Sequence, residues 1–102
     1  MLYQLCMPGK LFKYACGERN THAHKSKLTP ARLREFGIEL PGVELEKIDT
    51  MGELAAHLSP ADYRAVLEKL HPLAFRQLQE WAGKVRIALV LYDDTGSRLL
   101  GP

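Results

Sequence analysis

The chain has 102 residues, 46% of them hydrophobic and 25% charged, with a formal net charge of +2. That size and balance suit one globular domain with a single core and exclude a disordered or fibrous chain. The longest uninterrupted apolar run, Ile87 to Tyr92, falls far short of the ~20 residues that cross a bilayer. The start MLYQLCMPGK lacks the charged region and long apolar stretch of a secretory leader, so the expectation is a cytoplasmic protein without a membrane partner.

From the N-terminus, Leu2 to Met7 and Leu11 to Cys16 are both aromatic and apolar, and Pro8-Gly9 separates them. Proline presets one turn position and glycine accepts positive φ at the next, so a β-hairpin is predicted. In that register Cys16 lies opposite the first residue, well away from Cys6. A disulfide needs Cα atoms within ~7 Å, so two free thiols are expected. Residues 17–27 (GERNTHAHKSK) have only Ala23 to bury and read as a loop.

Thr29-Pro30 offers an N-cap and a first helical residue, and Gly37 stops the helix they start. After a Pro41-Gly42 turn, Val43 to Ile48 alternates apolar and charged like a half-solvated strand. Met51, Leu54, Ala55 and Leu58 then form a helical stripe behind a cap at Asp49 or Thr50. A second stripe, Tyr63, Val66, Leu67 and Leu70, follows Ser59-Pro60. His71-Pro72 predicts a break before a third helix through Trp81, ended by Gly83.

Lys84 to Tyr92 is apolar on both faces, as only a central strand needs to be. Asp93 to Gly96 makes a turn, and Ser97 to Gly101 returns as its partner. The predicted fold is a single α+β domain over residues 1–102. It has an N-terminal β-hairpin, a helical middle of three to four short helices, and a C-terminal β-hairpin containing the central strand.

Charge is not spread evenly. Lys10, Lys13, Arg19, Lys25, Lys27, Arg32 and Arg34 outweigh Glu18 and Glu35 in residues 1–36, for a net +5. Residues 37–62 hold Glu39, Glu44, Glu46, Asp49, Glu53 and Asp62 against Lys47, for −5. Such blocks suggest two differently charged surfaces, or two that face each other.

Three chemistries compete for the basic end. Cys6, Cys16, His22 and His24 carry the thiolate and imidazole ligands of a structural zinc site, although C-x2-C is lacking. The seven cations could neutralise phosphates, with Tyr3, Phe12 and Tyr14 stacking on unpaired bases. The third is a protein partner, met through Lys10, Lys13, Arg19, His22, His24, Lys25, Lys27, Arg32 and Arg34, with complementary charge steering the encounter.

Glu53 to Leu70 (ELAAHLSPADYRAVLEKL) is similar to a helix-turn-helix in its E-L-A-x-x-L opening. It departs where Ser59-Pro60 replaces the turn glycine and where Asp62 and Glu68 enter the second helix, and a helical hairpin packing its own core accounts for the pattern. No G-x-S-x-G, P-loop, H-E-x-x-H or G-x-G-x-x-G occurs, and no cofactor is called for. Asp93 and Asp94 could share a metal but also suit their turn. The favoured expectation is a small noncatalytic binding protein: an inhibitor, immunity-type factor or accessory regulator. Nucleic-acid binding and a zinc-stabilised domain are the alternatives.

Overall fold

Pro8 marks the first element boundary, and not in the way a hairpin requires. The computed structural model, which describes residues 1–19 and 28–101, makes Pro8 the first residue of a helix. Strand β1 spans Leu2–Cys6 and helix α1 spans Pro8–Ala15, so the N-terminal hairpin is replaced by a strand and a helix. Gly9 is not among the glycines with positive φ, which removes the turn that a hairpin needs. Pro8 instead lends its fixed φ to the first helical turn, and Leu11 N–H closes onto the Met7 carbonyl at 3.0 Å. At helical spacing Leu11, Phe12, Tyr14 and Ala15 all reach the core, which neither face of a strand could achieve.

Helix α2, Pro30–Glu35, begins as predicted: the Thr29 hydroxyl accepts the Arg32 N–H at 3.1 Å. Gly37 follows it at φ +75. The predicted strand at 43–48 is absent, and a 3₁₀ turn spans Leu45–Lys47. The sheet has three strands, in the order β1, β2, β3, and offers this segment no neighbour. Leu45 and Ile48, three residues apart, reach inward from a single turn instead.

Helix α3, Met51–Ala56, is capped by Thr50, and the Glu53 carboxylate in turn accepts the Asp49 N–H. Helix α4 runs unbroken from Pro60 to Ala82, merging the two predicted helices through Pro72. The proline ring is exposed. Val66, Leu67, Leu70 and Ala74 stay in phase across it and are buried together. A shared buried wall holds both halves of the helix to one axis despite the lost backbone bond.

Strand β2, Ile87–Tyr92, is central as expected, starting three residues later than the predicted strand, with Lys84, Val85 and Arg86 exposed. It pairs parallel with β1 and antiparallel with β3, Arg98–Leu100, through a bulge near Leu91 and Tyr92. Leu89 and Leu91 enter the core, where α4 and α1 cover the strand; α3 packs on those two helices. The described residues form a small mixed α+β domain of four helices and a three-stranded sheet.

Candidate functional site

The order β1-β2-β3 leaves β1 with one neighbour among the described residues. Leu2 N–H donates to the Arg86 carbonyl at 2.8 Å, with Leu2 opposite Ile87. In a parallel ladder alternate residues turn both backbone groups the same way. Leu2, Gln4 and Cys6 therefore bond β2, and Tyr3 and Leu5 turn their N–H and C=O to the outer edge. The side chains divide along the same alternation. Gln4 reaches the Tyr14 hydroxyl at 3.5 Å and Cys6 is buried in the core, while Tyr3 and Leu5 are 61% and 56% exposed on the opposite face. Met1, Leu2, Met7 and Val85 are also more than half exposed, and no charged side chain occurs from Met1 to Met7.

At the C-terminal end of this edge a groove of about 500 Å³ opens. Leu5, Cys6, Met7, Phe12, Leu28 and Met51 supply apolar lining, Lys10 and Lys13 stand on the α1 side, and Asp49 and Thr50 form part of the far wall. The one-turn offset of Gly9, Lys10 and Lys13 along α1 brings the two lysines to the groove together.

The other basic residues separate. Arg19 lies over the Trp81 ring at 5.8 Å, and Trp81 meets Tyr14 edge-on at 6.3 Å. Arg32 pairs with Glu35 at 3.1 Å, and Arg34 is exposed on the same helix. His22, His24, Lys25 and Lys27 lie outside the described residues, and with them most of the predicted 17–27 loop and the two histidines of the zinc set. Among the described residues no group of three His, Cys, Asp or Glu side chains is placed to hold a metal. No disulfide joins Cys6 and Cys16. Of the three aromatic rings expected to stack on bases, Phe12 and Tyr14 are in the core and only Tyr3 is exposed.

In two other hollows some of the polar groups are already engaged within the chain. In one of about 540 Å³, beside Glu39 and Asp62, Lys69 Nζ donates to the Gly37 carbonyl at 2.6 Å and His57 Nδ1 lies 2.9 Å from the Glu53 carbonyl. In another, near Tyr63, the Asp93 carboxylate accepts the Thr95 hydroxyl at 2.6 Å and the Thr95 and Ser97 N–H groups at 2.9 Å each. The Thr95 hydroxyl bond and the backbone donors lower the Asp93 pKa. This carboxylate builds its turn.

Nothing in the order of residues marks Leu5 or Met7 as surface features; apolar residues in a strand or helix read as core. The one available signal was that β1 carries no charge on either face. Comparison with known families, curated proteins and solved structures finds no match to this chain.

Proposed function

We propose that this domain is a noncatalytic protein-binding module, and that its working surface is the open edge of β1 with the adjoining groove. The observation that carries the reading is the outward-turned backbone of Tyr3 and Leu5 on an uncharged strand with exposed apolar side chains. An extended segment of a partner gains main-chain hydrogen bonds along such an edge, and its side chains gain specificity from the pocket beside it. Lys10 and Lys13 then orient the partner at the groove, a narrower role than the whole basic block was expected to play. An inhibitor or accessory regulator works by occupation of this kind, with no reacting group required.

The test is affinity capture from cells that naturally express the chain, comparing wild type with Leu5→Lys. Leu5 is exposed, so the variant keeps its core and its thermal unfolding should match wild type. A protein captured by wild type and lost with Leu5→Lys supports the proposal. Equal capture by both, or capture only of nucleic acid that salt removes, overturns it.

A further inference from the structure

We infer that the strand added to β1 is the β1 of a second copy, antiparallel about a two-fold axis through Gln4, joining two three-stranded sheets into one of six. The inference rests on the reading of this edge as a protein-binding surface and names the occupant. Reversed about Gln4, the strand is complementary to itself: Tyr3 of each copy falls opposite Leu5 of the other. These are the two residues whose backbone groups face outward, and antiparallel partners of this type exchange both N–H···O=C bonds. The two-fold repeats the exchange, so four hydrogen bonds satisfy all the outward groups of Tyr3 and Leu5.

Side chains agree with that register. Each Tyr3 ring lies across from a Leu5 on the open face, an aromatic–aliphatic cross-strand pair formed twice. Exposed edges are ordinarily blunted by lysine, proline or a bulge. β1 has no charge and no proline, and its pairing with β2 runs without a register shift from Leu2 to Cys6. A second copy therefore meets no like-charge repulsion along the strand. Met1, Tyr3, Leu5 and Met7, along the strand and just beyond its ends, are all more than half exposed, so this register sets apolar side chains beside one another over its whole length, and closed two-fold pairing is the commonest assembly.

Sedimentation velocity across a concentration series, with purified full-length chain, tests the inference. Wild type should sediment as a dimer, and Leu5→Lys should weaken association by roughly tenfold or more while thermal unfolding stays unchanged, because a charge replaces an apolar contact at both symmetric positions. If Leu5→Lys unfolds, Tyr3→Lys, which also changes an exposed side chain, replaces it. Gln4→Cys tests the register: residues facing each other across a non-hydrogen-bonded antiparallel pair stand ~4.5 Å apart at Cα, within disulfide reach. An intermolecular disulfide, lacking in oxidised wild type, is the expected result, and failure to cross-link overturns the Gln4-centred arrangement. A dimer indifferent to Leu5→Lys and Tyr3→Lys also overturns the inference. A wild-type monomer throughout, combined with Leu5-sensitive capture of a different protein, overturns the second copy and leaves the protein-binding edge standing.

Discussion

Cys6 and Leu5 are neighbours with opposite environments, and the difference comes from strand alternation alone. Burial pushes the Cys6 thiol from 9.0 up to about 11, partly opposed by the Lys10 ammonium. The folded protein thus holds this proton more tightly than the unfolded chain does. The associated stability is fully present below about pH 9 and is lost as pH rises toward 11. Tyr63, raised by burial from 10.0 to about 12, extends the decline. Melting temperature measured from pH 8 to 11 should therefore fall more steeply for wild type than for Cys6→Ala; identical slopes would refute the role given to the thiol. The place of Leu2 to Cys6 in a strand was legible in the sequence. The outward side was not, because Tyr3 and Leu5 are as apolar as the residues that are buried, and only the strand order shows that nothing described covers them.

At the scale of elements, capping chemistry was legible and continuity was not. Thr29, Thr50 and Ser59 each accept the N–H three residues on, as their positions before helical stripes predict. These bonds are local, so neighbouring residues decide them. Pro72 obeys a different balance. Its ring denies α4 one backbone bond, a penalty of up to about 3 kcal/mol in a helix interior, yet the buried stripe from Val66 to Ala74 keeps the helix whole. Pro72→Ala restores the N–H at an exposed position without touching that stripe. It should raise stability by roughly 1–3 kcal/mol and the melting temperature by several degrees, read by urea and thermal unfolding. A lower melting temperature would mean that the proline, not the stripe, sets the helix geometry. The exchange of a predicted hairpin arm for α1 has a similar origin. Leu11 to Cys16 fits strand or helix by composition, and the helix wins by burying Leu11, Phe12, Tyr14 and Ala15 together.

For the molecule as a whole, the ion pairs Arg32–Glu35, Lys47–Glu44 and Arg64–Glu68 each join residues three or four apart on exposed surface. Pairs of this kind contribute about 0.3–0.5 kcal/mol each and are screened by salt. Unfolding free energy should therefore change by less than about 2 kcal/mol between 0.05 and 0.5 M NaCl, measured in urea; a larger loss would show that the charge blocks help hold the fold together. The sequence by itself determined the α+β class, the starts of α2, α3 and α4, the glycine stops and the central place of β2, because each depends on local backbone chemistry or on apolarity of both strand faces. Only the tertiary structure decided that β1 lies parallel to β2, that Leu11 to Ala15 is helical, and that β1 has an edge open among the described residues. Those outcomes turn on which distant surface each segment meets, and apolar periodicity records that a face must be covered without recording what covers it.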